Sequence, residues 1–134
     1  MTPRLRIGDD EAWVALTAPE EPSEGWRVTA DWVGRFTADF EAYVEAEEVS
    51  AFAQRLLDRI GAAEPAAFWA EVSEGRANPL RLSAVPAYGE DSLVFVARLT
   101  PVGHDDVIHL DMEIGPVPLD GLRAELEQFR RELA

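Results

Sequence analysis

Between Glu47 and Gly61 the apolar residues Val49, Phe52, Ala53, Leu56, Leu57 and Ile60 recur at i, i+3, i+4, i+7, i+8 and i+11. That is one stripe on a 3.6-residue period, and it predicts an amphipathic helix. Glu45, Glu47 and Glu48 sit around its first turn, with Arg55 and Arg59 toward its end, a polarity that suits the helix dipole. Gly61 is expected to stop the helix in a left-handed conformation. A second stripe, Leu119, Leu122, Leu126, Phe129 and Leu133, predicts a C-terminal helix over 119–133 with Pro118 in its first turn.

Elsewhere the period is two. Over 37–46, Ala38, Phe40, Ala42 and Val44 face one way while Thr37, Asp39, Glu41, Tyr43 and Glu45 face the other, the pattern of a half-buried strand. In 26–36, Trp26, Val28, Ala30, Trp32 and Phe36 alternate with Arg27, Thr29, Asp31 and Arg35, and Gly34 marks a bulge or bend. Two tryptophans on one face fit a ligand platform or, more often, a sheet-on-helix core. Residues 4–7 and 12–18 read as short strands around an acidic turn containing Asp9 and Asp10, a solvated hairpin tip rather than a calcium loop.

Residues 80–88, 92–100 and 107–115 read as three more strands, whose short connections imply an antiparallel meander. Pro86 puts the first of them on an edge or at a bulge. Residues 66–72 stay ambiguous: Phe68 with Val72 fits a short helix, while Phe68, Ala70 and Val72 fit a strand. The order of elements predicts a single α+β domain over 1–134. One mainly antiparallel sheet of about six or seven strands would carry both helices packed on one face. Asp39, Glu41 and Tyr43 would then look outward.

Composition narrows the chemistry. Hydrophobic residues make up 47% of the chain, too many for a disordered acidic tail. No stretch approaches the roughly 18 to 20 apolar residues of a membrane span, and the N-terminus shows no apolar signal region. Cytoplasmic residence is the expectation. Cysteine is absent, so disulfides, thiol nucleophiles and thiolate metal sites are excluded. Lysine is absent too, which excludes Schiff-base and P-loop lysine chemistry. No serine lies in a G-x-S-x-G elbow, and no G-x-G-x-x-G occurs. The expectation is a non-enzymatic protein without a cofactor.

Charge adds a direction. There are 26 acids against 12 bases, a net charge of −14, spread along the whole chain. Such a field repels nucleic acid and steers a basic protein partner inward. Acid-rich surfaces also serve solubility alone, and that reading stands beside the first. Asp39, Glu41, Glu45, Glu47 and Glu48 give five acids in ten residues with no base among them. Tyr43 stands within the row as an exposed aromatic of the kind that anchors interfaces. These six residues are the candidate partner-binding surface; an ordinary solvated strand face is the alternative.

One other cluster invites chemistry. His109, Asp111 and Glu113 share a strand face opposite Ile108, Leu110, Met112 and Ile114, with His104, Asp105 and Asp106 just before them. Ligands at i, i+2 and i+4 suit a divalent cation or acid–base work, but strand alternation by itself also requires polar residues there.

A strand opening with Gly25-Trp26, Phe36 at the strand turn, and the helix pattern Glu48-Val49-x-x-Phe52-x-x-x-Leu56-Leu57 together resemble a group of small bacterial proteins. That group includes immunity proteins for wall-associated, contact-dependent toxins and their actinobacterial relatives. The resemblance runs over nearly the whole chain as an order of elements, with a strand-rich second half and a closing helix. It implies a stoichiometric binding protein that blocks a toxin by occupying its functional surface. A basic, nuclease-like toxin fits the charge, because an acidic face can stand in for phosphates. The alternatives are a metal-binding or hydrolytic domain built on His109, Asp111 and Glu113, and a domain that self-associates as a homodimer through an exposed sheet edge.

Overall fold

The structure is a computed structural model and describes residues 2–21, 24–61, 66–73, 78–87, 91–101 and 108–133. Its elements follow in the order β1 (Arg4–Gly8), β2 (Ala12–Thr17), β3 (Trp26–Trp32), β4 (Phe36–Ala42), α1 (Ala46–Ile60), β5 (Phe68–Glu71), β6 (Leu80–Pro86), β7 (Ser92–Leu99), β8 (Leu110–Pro118) and α2 (Leu119–Leu133). The α+β class and the antiparallel pairing are those the patterning predicts. The single sheet is not. The strands form two four-stranded sheets, β1-β2-β3-β4 and β5-β6-β7-β8.

Helix α1, 15 residues long and roughly 22 Å along its axis, separates two meanders, each of which pairs within itself. Alternation and short turns specify pairing within a meander and carry no information about how two meanders meet. Nor do the helices share one face of one sheet. They pack on each other, α1 beside β5 and α2 beside β1 and β8, while β1 and β8 adjoin without a ladder. Buried residues from both sheets and both helices form one core cluster. Both predicted stripes are its helical part: Val49, Phe52, Ala53, Leu56 and Ile60 are buried on α1, as are Leu122, Leu126 and Phe129 on α2.

Local details refine the expectations. Residues 66–72 contain a strand, in which Ala70 is buried and lies opposite Leu82. Pro86 is the last residue of central strand β6 and pairs only with Leu93 of β7; the β5 partnership ends at Phe68 opposite Ala84, so no second ladder needs the missing N–H. Pro118 closes β8 instead of opening α2. Gly61 is right-handed, φ −86°, and its N–H still donates to the Leu57 carbonyl at 3.0 Å. The helix therefore ends without the left-handed stop that the glycine suggested. Gly34 is a turn residue. Val33 and Gly34 adopt φ of 54° and 69°, and the Arg35 N–H donates to the Trp32 carbonyl at 2.9 Å, the hallmarks of a type I′ hairpin turn. Among the described residues no helix is long and apolar enough to cross a membrane.

Candidate binding surface at β4 and the start of α1

Strand β4 alternates as its sequence demands. Phe36, Ala38, Phe40 and Ala42 lie opposite Trp32, Ala30, Val28 and Trp26 on the core side. Asp39 and Glu41, both exposed, therefore project from the outer face. The sequence suggested a row free of bases, but the sheet supplies one. Arg27 of β3 lies opposite Glu41, hydrogen-bonds to Asp39, and holds Nη1 3.6 Å from Glu41 Oε1. A base twelve residues away in the chain becomes a neighbour only through the ladder.

Tyr43 is 73% exposed, and its hydroxyl donates to Glu41 Oε2 at 2.8 Å. That bond, with the charge of Glu41, holds the phenol pKa above its ordinary value. The aromatic is thus fixed at the edge of the acidic row with its ring in solvent.

The three glutamates at the helix start divide by role. Glu47 is exposed in the first turn. Glu45 precedes the helix, and its N–H donates to Glu48 Oε1 at 3.0 Å, the glutamate arm of a capping box. Glu48 is half-buried. Its carboxyl lies below the ordinary carboxylate pKa because the Ser73 side chain and the Glu45 N–H both hydrogen-bond to it. Glu48 is thus committed to the fold, and the exposed residues Asp39, Glu41, Tyr43, Glu45 and Glu47 make up the accessible surface.

The inner side of β4 is incompletely covered. Trp32, Phe36, Ala38 and Phe40 pack against the core yet remain half-exposed, and the Trp32 and Phe36 rings sit 5.2 Å apart. Trp26, by contrast, is buried with its ring edge-on to Phe129 at 6.1 Å. The tryptophans of 26–36 are core residues, one complete and one at the rim.

His109, Asp111 and Glu113 do not converge. Asp111 is held by Arg98 of β7 through Nε–Oδ1 at 3.0 Å and Nη2–Oδ2 at 3.3 Å, and that bond lowers its pKa. His109 precedes β8, its Nε2 3.8 Å from Asp111 Oδ2. Glu113 is exposed opposite Val96. Among the described residues no three histidine, aspartate or glutamate side chains are placed to hold a metal ion; His104, Asp105 and Asp106 lie outside the described residues. Asp9 caps its hairpin, accepting from the Glu11 and Ala12 N–H groups at 2.8 and 2.9 Å.

A second surface gave no sequence signal. Trp69, 61% exposed on the outer face of β5, stands beneath the Arg81 guanidinium at 5.9 Å. It borders a cleft of about 570 Å³ lined also by Arg55, Arg59, Phe68 and Glu71. The helix–strand ambiguity of 66–72 hid which side of the chain Trp69 would occupy. Compared with known protein-family models, curated proteins and solved structures, the chain matches none.

Proposed function

We propose that this chain is a non-enzymatic acidic binding protein, an immunity protein that blocks a basic, nuclease-like toxin by occupying its functional surface. The observation that carries this reading is the accessible group Asp39, Glu41, Tyr43, Glu45 and Glu47 on a chain of net charge −14. Acids around an exposed aromatic offer charge for steering and apolar area for adhesion. Arg27 engages Asp39 and Glu41 and holds them in place for a partner. Their combined charge still exceeds that of the single guanidinium. The resemblance of the helix pattern Glu48 to Leu57 to that of contact-dependent toxin immunity proteins supports the same reading.

The test is direct binding between the purified protein and a cationic toxin domain encoded at the same locus, titrated at low and at high salt. The expected result is a tight one-to-one complex that weakens with salt and with Asp39→Lys or Glu47→Lys. Failure of every such domain to bind at low salt would remove the reading.

A further inference from the structure

We infer that the free edge of β4 accepts an extended segment of a basic partner as a fifth strand of the first sheet, an interaction mode that rests on the binding reading above.

The two sheets have four edges, and three are blunted. On β1 the Arg6 N–H donates to Glu125 Oε1 of α2 at 3.2 Å, and α2 runs beside the strand. On β5, only four residues long, Arg55 of α1 donates to the Glu71 carbonyl. Strand β8 carries Pro116 and Pro118, with an irregular register where Leu93 pairs Val117 and Phe95 pairs Ile114. Short length, proline, irregular pairing and a covering helix are the usual protections of a sheet edge. Strand β4 has none of these four; the edge device it carries is charge, from exposed Asp39 and Glu41, which opposes an acidic strand and admits a basic one. It is seven residues long, without proline or a register shift, and among the described residues only β3 pairs with it.

The hydrogen-bond phase of the sheet shows what that edge offers. The Val33 N–H donates to the Glu11 carbonyl at 2.6 Å, continuing the β2–β3 register. Antiparallel residues exchange backbone bonds in alternation, so odd-numbered residues of β3 bond to β2 and even-numbered ones to β4. On β4 it follows that Phe36, Ala38, Phe40 and Ala42 bond back to β3. Thr37, Asp39 and Glu41 turn their N–H and C=O groups to the open side. Backbone groups and outer-face carboxylates thus come from the same residues.

These features define one occupant. An added strand would place alternate side chains beside Asp39 and Glu41, where lysine or arginine gains and acid loses. Its other side chains would fall beside half-exposed Phe36 and Phe40, where apolar residues gain. A second copy of this chain is disfavoured: pairing β4 with itself over its full length sets Asp39 opposite Asp39, and like charges directly opposed destabilise a ladder.

The test uses the intact protein and a synthetic peptide of about eight residues alternating lysine and valine, long enough to match one strand. Controls are a glutamate–valine peptide and a lysine–valine peptide N-methylated at alternate amides, which keeps the charge but cannot form the ladder. The expected result is binding of the first peptide alone, with slowed amide exchange at Thr37, Asp39 and Glu41. Thr37→Pro removes one outward N–H, spares the β3 ladder and both acids, and should weaken binding about tenfold, as the loss of one hydrogen bond implies. No binding, unchanged exchange at those three amides, or equal binding by Thr37→Pro or by the N-methylated peptide would overturn the inference. So would protection of the same amides by self-association without peptide. A toxin domain that binds and leaves these amides unprotected would sink the inference and spare the proposed function. Peptide addition at β4 without any toxin binding would do the reverse.

Discussion

Glu48, in the first turn of α1, takes a hydrogen bond from the side chain of Ser73, just beyond β5. One carboxylate therefore caps a helix of the first half and fastens it to the start of the second. Its pKa is lowered from an ordinary 4.5, and those of Asp9 and Asp111 are lowered from 3.8 by backbone N–H groups and by Arg98. Groups depressed by folding contribute stability that is fully present above their unfolded pKa and is lost as pH falls through the folded value. Urea midpoints should hold level above the ordinary carboxylate range and drop progressively below it. Glu48→Gln should flatten that drop and cost about 1 kcal/mol near neutral pH, the usual worth of a helix cap. A variant with an unchanged acid limb would show that Glu48 is not a titrating contributor.

Val33 is β-branched, 53% exposed and held at φ 54°, a conformation that costs an ordinary L-residue about 1–2 kcal/mol. Val33→Asn creates the Asn-Gly pair preferred in type I′ turns and removes no buried contact. A gain of about 1 kcal/mol in denaturant stability is expected. A loss would mean that the valine side chain holds the hairpin in some other way.

Two glycines should respond to alanine in opposite directions. A Cβ on Gly8, at φ 130°, would come within 2.2 Å of the Ala12 carbonyl oxygen. Gly8→Ala should therefore cost about 2 kcal/mol or more. A Cβ on Gly121, in the first turn of α2, meets nothing within 4 Å, so Gly121→Ala should gain about 0.5–1 kcal/mol through helix propensity. Thermal melts of the two variants check both signs together.

Phe129 is 1% exposed and presents Trp26 with an edge-to-face contact. Phe129→Ala should cost about 3–5 kcal/mol, since it removes a large ring and leaves a cavity. Near-UV circular dichroism should change as Trp26 loses its fixed neighbour. Stability close to the parent would show that α2 does not hold the first sheet through this pair.

Much of the fold was written in the periods of the chain. The stripes from Val49 to Ile60 and from Leu119 to Leu133 gave two helices whose buried faces are the predicted ones, because a helix exposes its period within a dozen residues. Most strands were legible for the same local reason, and so was the outward direction of Asp39 and Glu41. Strand β5 was not, because 66–72 fits either period, and β8 runs on to Pro118, past the expected end at 115. The candidate surface was legible only as a row of side chains running from one strand face into the start of the next helix.

Tertiary structure decided the rest. It divided the strands into two sheets, because nothing in either meander encodes which distant strand it will meet. It brought Arg27 beside Asp39 and Glu41, since cross-strand neighbours are set by register. It tied Glu48 to Ser73 and closed the edges of β1, β5 and β8 with contacts from elements distant in the chain or with a register shift. The open edge of β4 is a property of the assembled sheets, for whether a strand has one partner or two depends on every other strand finding its place.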